Sequence, residues 1–204
     1  YELARYFRIL ENQNEELKAL TESLALLEAK DDLSPREIRM QIDALIRRGE
    51  VEYDRAEFLS AEASFQEAIS RYENAKSLDY AEPSQRFGRG YARLGDVYYY
   101  QSGEDAAAER VYRRAEEEGY ATRELDFKQG VLAYRRGDDN PDALDTAIRE
   151  FSQAAGSYSD NANLLYATAN TQFRREVYGV AEGYYEELLD QLEARRRSID
   201  RFFP

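Results

Sequence analysis

The chain has 204 residues, 41 of them acidic and 28 basic, with no cysteine, no histidine and a formal net charge of −13. The missing residue types exclude disulfides, thiolate nucleophiles, histidine general bases and the common zinc ligand sets. The acidic balance disfavours nucleic acid, whose phosphates call for a dense basic patch.

At 43 % hydrophobic and 34 % charged residues, the composition is globular, and only four prolines interrupt a sequence rich in helix formers. No run of 18 apolar residues occurs, so direct membrane insertion is not expected. The chain begins at Tyr1 with neither a Met nor a signal segment, which fits an excised domain or a processed protein. Absent cysteine suits either redox environment, so the compartment stays open.

Nine helices are predicted, the first over 2–29. There Leu3, Tyr6, Leu10, Leu17, Leu20, Leu24 and Leu27 fall on spacings of three, four or seven, a long apolar seam. Residues 1–34 are therefore expected to form an N-terminal long helix that packs or caps. At LSPREI, Ser34 can cap a second helix over 35–54, with Pro35 at its first position and Glu37 closing a capping box. The third, 57–79, is long for a hairpin, and ISRYENAKSLDY is expected to lean on the first helix or offer a ledge. Pro83 marks the start of a fourth helix, 83–101, followed by helices over 104–117 and 121–136. Asn140 and Pro141 open the next, 141–157, and helices over 161–175 and 178–200 complete the series. Arg195, Arg196 and Arg197 read as a solvated helix end. The run DDNPD lacks the glycine and glutamate of an EF-hand loop. No metal, cofactor or catalytic residue is expected.

A pattern recurs on alternate helices: Ala61, Phe65, Ala68; Ala108, Tyr112, Ala115; Ala147, Phe151, Ala154; Ala181, Tyr185, Leu188. Positions i, i+4 and i+7 share one helix face. A small residue there lets a neighbouring helix come close, and the aromatic fills the wedge beside it. On the preceding helices Gly49, Gly95, Gly130 and Ala169 stand at matching places, where a missing side chain again permits close approach.

With Tyr91, Leu94, Gly95 and Tyr98 on one helix and Ala108, Tyr112 and Ala115 on the next, the sequence resembles the tetratricopeptide repeat family over residues 36–196. The other units are degenerate: Arg48 precedes Gly49 where leucine is the rule, and Ala169 replaces the glycine. The resemblance implies an all-α fold, an α-solenoid of antiparallel helical hairpins, with residues 35–200 as the repeat domain. It also implies that the first helix of each hairpin lines a concave groove.

Four residues after each glycine-like position stand Tyr53, Tyr99, Tyr134 and Phe173, an aromatic column suited to peptide capture or to shielding the stack. With the adjacent Tyr100, Arg135 and Arg174, and with Asp96, these are the candidate groove residues. A carboxylate clamp is not expected, because Glu50, Asp96 and Val131 occupy the position where only Asn170 fits. The function expected is a protein-interaction scaffold that binds a segment of a partner protein, with no chemical step. Homo-oligomeric self-assembly through helix 2–29 or the last helix is the alternative. An all-α carbohydrate-active enzyme is a weaker one, because the aromatics follow the repeat rather than a cleft.

Overall fold

The computed structural model describes residues 1–79, 84–101, 103–158 and 162–202, the side chains of 156–158 and 197–202 excepted. Among them are ten α-helices and no strand: α1 (Glu2–Ile9), α2 (Gln13–Glu28), α3 (Pro35–Asp54), α4 (Phe58–Ser77), α5 (Gln85–Tyr100), α6 (Asp105–Glu117), α7 (Arg123–Arg136), α8 (Asp142–Tyr158), α9 (Ala162–Arg174) and α10 (Tyr178–Phe202). Each odd-numbered helix pairs with the helix that follows it, giving five hairpins. No helix among the described residues is long and apolar enough to cross a membrane.

The helix starts follow the capping chemistry. The Ser34 hydroxyl accepts from the Glu37 N–H and the Glu37 carboxylate accepts from the Ser34 N–H, the reciprocal box, with Pro35 in the first turn. Asn140 Oδ1 accepts from the Asp142 N–H at 3.2 Å ahead of α8. Thr122 caps α7 by accepting from the Leu125 N–H. The start expected at Pro83 lies outside the described residues, as do Tyr80 and Pro204; Ser84 stands at the N-terminus of α5.

The expected single helix over 2–29 is two. Glu11 adopts φ 53°, and Asn12 then caps α2 by accepting from the Glu15 N–H. The break contains no Gly or Pro, and the apolar spacing runs across it, so periodicity alone reads straight through. The same turn recurs at Ala56 (φ 59°) and Glu176 (φ 62°). In each, the N–H after the left-handed residue reaches back to the carbonyl five positions earlier: Asn12 to Phe7, Glu57 to Glu52 and Val177 to Gln172, at 2.9–3.0 Å. In this register Ala4, buried against α2, takes the place of Gly49 and Ala169. The N-terminal segment is thus a further hairpin of the same design.

The chain forms two compact units, residues 1–120 and 121–204. In the first, α2 packs on α3, α4 on α5, and α3 on α5. Arg47 donates from Nε and Nη2 to both oxygens of the buried Glu16 at 2.6 and 2.9 Å, tying α3 to α2. That carboxylate holds the Arg47 guanidinium above its ordinary pKa. The long end of α4 is not a ledge. Tyr72 is buried, stacks on Phe87 with centroids 4.7 Å apart and donates to Glu118. Lys76 Nζ reaches the same Glu118 at 2.6 Å. Burial, then Glu118, pushes the Tyr72 phenol up. Arg71 leans the other way, to Glu28 of α2 at 3.2 Å.

In the second unit α8 and α7 both pack on α9. Its core gathers Ala133, Ala147, Phe151, Ala154 and Leu164, with Phe127, Val131 and Tyr134 packed against it.

Candidate functional site: the aromatic faces of the odd helices

The repeat positions build the hairpins, and the hairpins present the aromatics. Ala61, Ala108, Ala147 and Ala181 are all fully buried. Opposite each glycine lies the aromatic of the partner helix. A Cβ on Gly49 would stand 2.6 Å from the Phe65 ring and one on Gly130 2.5 Å from the Phe151 ring; on Gly95 it would overlap Tyr112. Glycine here makes room for a ring, as the spacing predicts.

The next residue answers the ring's chemistry. Tyr112 donates to Asp96 Oδ1 at 2.8 Å, and Tyr185 donates to Asn170 Oδ1 at 2.7 Å. Where the ring is Phe65 or Phe151 the corresponding residues are Glu50 and Val131, and no hydroxyl needs an acceptor. Burial, then Asp96, raises the Tyr112 phenol.

This corrects one candidate. Asp96 is 5 % exposed, held by Tyr112 and by Arg93 Nη1 at 2.9 Å, and it does not line a groove. The position after the glycine faces into the hairpin, where a buried phenol needs an acceptor. Asn170, the one residue that suits a carboxylate clamp, is engaged by Tyr185 in the same way.

The other candidates divide between the two units. In the first, Tyr53 and Tyr99 are half-buried, and both phenols lie near enough to Tyr112 to add to its upward push. Tyr53 meets Phe58 edge-on at 5.5 Å, and Tyr99 meets Tyr100 edge-on at 5.0 Å. Tyr100 is 65 % exposed, and Phe58 and Leu59 also face solvent.

In the second unit Phe173 is 56 % exposed and meets Tyr178 edge-on at 5.3 Å. Arg174 is committed within the protein. Its guanidinium lies 4.5 Å from the Tyr134 ring centroid and donates to the Tyr134 carbonyl at 2.8 Å and to Asp138 at 2.6 Å. It fastens α9 to α7 and steadies the half-buried Tyr134. Arg135 is exposed on α7. Arg195 and Arg196 are exposed on α10; the Arg197 side chain lies outside the described residues.

Sequence reasoning missed Phe58, Tyr178 and Tyr166. Phe58 and Tyr178 each follow a column aromatic by five residues across the same left-handed turn, a repeated spacing that points to them. Tyr166, 57 % exposed, stands two helical turns before Phe173, as Phe127 does before Tyr134. The phenols of Tyr166 and Tyr134 both add to the rise that burial causes at Tyr185.

No family model matches the chain, and no curated protein matches it in sequence. Two crystal structures of MamA are similar to it in fold at 14 % identity. One has a TM-score of 0.68 and covers 96 % of this chain and 97 % of its own; for the other the score is 0.67 and the shares are 96 % and 91 %. The fold is that of an all-α, TPR-like solenoid of antiparallel helical hairpins.

Proposed function

We propose that the chain is a protein-interaction scaffold that holds a segment of a partner polypeptide against the aromatic faces of its odd-numbered helices. The carrying observation is that a column read from the repeat register, half-buried at Tyr53, Tyr99 and Tyr134, is accompanied by exposed aromatics in each unit: Phe58 and Tyr100 in one, Tyr166, Phe173 and Tyr178 in the other. Each face offers large rigid area at little entropic cost, edged with phenol hydroxyls that can accept and donate. The reading assigns no chemical step and no cofactor. Its partner is a protein segment with apolar anchors, and positive charge in that segment would complement a chain of net charge −13.

Affinity capture from the source cell followed by mass spectrometry names the partner, and calorimetry then measures it. Tyr99→Ala and Tyr134→Ala together are expected to weaken binding at least about tenfold, the scale of one hot-spot residue, with the circular dichroism spectrum retained. Unchanged affinity removes the reading.

Self-assembly is a second reading, favoured by one observation. The short α1 turns Leu3, Tyr6, Ile9 and Leu10 outward, Ile9 at 79 % exposure. Dilution of the protein alone in the same calorimeter yields a dissociation heat if copies associate.

A further inference from the structure

Away from the aromatic faces, the first unit holds a cleft of about 500 Å³. It opens where the α2–α3 connection meets the N-terminal third of α3 and the C-terminal end of α4. Leu27, Ile38 and Leu78 give it apolar walls. Two features are unexplained by packing. Gln41 lines the cleft at 2 % exposure, and its Nε2 has no hydrogen-bond partner among the described residues. A buried amide left unpaired is costly, and buried polar groups nearly always find partners. At the rim, Asp31 and Asp32 are exposed, and neither is in an ion pair among the described residues. The cations beside them are already matched: Lys30 bonds Glu37, and Arg71 bonds Glu67 and Glu28. The cleft therefore keeps two uncompensated negative charges above an apolar wall and a carboxamide that can present either its N–H or its oxygen.

We propose that this cleft receives a basic side chain, lysine or arginine, from a partner polypeptide. The aliphatic stem lies on Leu27, Ile38 and Leu78, the cation meets Asp31 and Asp32, and a peptide group of the same segment bonds the Gln41 carboxamide. An acidic side chain is repelled at the rim, and an apolar one leaves both aspartates unanswered. The site uses none of the aromatic column, so it stands whether or not those faces bind a partner.

The test is a titration of the ¹⁵N-labelled chain with the blocked peptide acetyl-Gly-Arg-Gly-amide, taken to about 10 mM, where a millimolar site is nearly filled. The Gln41 side-chain amide pair and the backbone amides of 30–33 are expected to shift saturably. The norleucine analogue is expected to shift neither. Asp31→Asn with Asp32→Asn is expected to weaken the arginine peptide about fivefold, the scale of one exposed ion pair. Gln41→Leu, which keeps the packing, is expected to weaken it as well. Absence of a saturable shift, equal shifts with norleucine, or full affinity in both variants overturns the assignment. Full affinity in Gln41→Leu alone removes the amide from it.

Discussion

A single missing methyl decides how the hairpins close. Gly95 has no room for a Cβ because the Tyr112 ring fills the space, and the same holds for Gly49 under Phe65 and Gly130 under Phe151. Gly95→Ala is expected to destabilise by about 1–3 kcal/mol through overpacking, read as a lower denaturation midpoint. Trimming the ring alongside it, in Gly95→Ala with Tyr112→Leu, is expected to cost less than the two single changes summed, since the sites share one space. Glu52 makes a second residue-scale case. Buried beside Ser64, whose hydroxyl donates to it at 2.5 Å, it has a pKa raised by burial above that of an ordinary carboxylate, with Ser64 and Arg48 pulling the other way. A raised carboxyl favours folding below its unfolded value and loses that contribution as pH climbs through the folded value. Relative to the parent, Glu52→Gln is therefore expected to gain melting temperature as pH rises above about 4, the unfolded carboxyl's own range, and a difference that stays flat as pH rises refutes it. The glycines and their aromatics were legible from spacing alone. The burial of Asp96 was not, because the family resemblance puts the residue after the glycine at the groove, whereas here Asp96, like Glu50, is buried.

At the scale of the element, caps and turns explain both what could be read and what could not. Helix α3 announces itself through Ser34, Pro35 and Glu37, and the structure starts it there. The break between α1 and α2 hides because its left-handed residue is Glu11, and the matching turns use Ala56 and Glu176, none of them glycine. An L residue in that region is strained by about 1–2 kcal/mol, while glycine gives back part of the gain through unfolded-state entropy. Ala56→Gly is expected to stabilise by about 0.5–1 kcal/mol, seen as a higher denaturant midpoint at unchanged slope. A fall in midpoint would mean the alanine methyl packs more than the turn strains. The end of α4 was legible in length and, through Arg71 and Glu28, in its lean toward the N-terminal segment, but not in its main burial. Its burial depends on Phe87 and Glu118, which arrive from α5 and from the residue that follows α6.

For the molecule as a whole, repeat register carries the fold further than identity does. Two structures of MamA, each 14 % identical to this chain, share its fold; in this chain, small residues, rings and turns at fixed places close each hairpin. What the register leaves free is the exposed face, and there the sequence speaks through Tyr100, Tyr166, Phe173 and Tyr178. Two kinds of hairpin coexist in the array. In one, the ring is a phenol and its partner helix supplies Asp96 or Asn170; in the other, the ring is phenylalanine, Val131 has no phenol to meet, and Glu50 answers Arg47 and Arg89 instead. A shuffled array that joined α5 to α4 or α8 would leave Asp96 with no phenol to meet it, and one that joined α7 to α6 would orphan the Tyr112 hydroxyl. Recombination can thus trade helices only in kind, and whole hairpins only where partners such as Glu16 for Arg47 and Glu118 for Tyr72 travel with them, a grammar that makes each seam part of the inheritance.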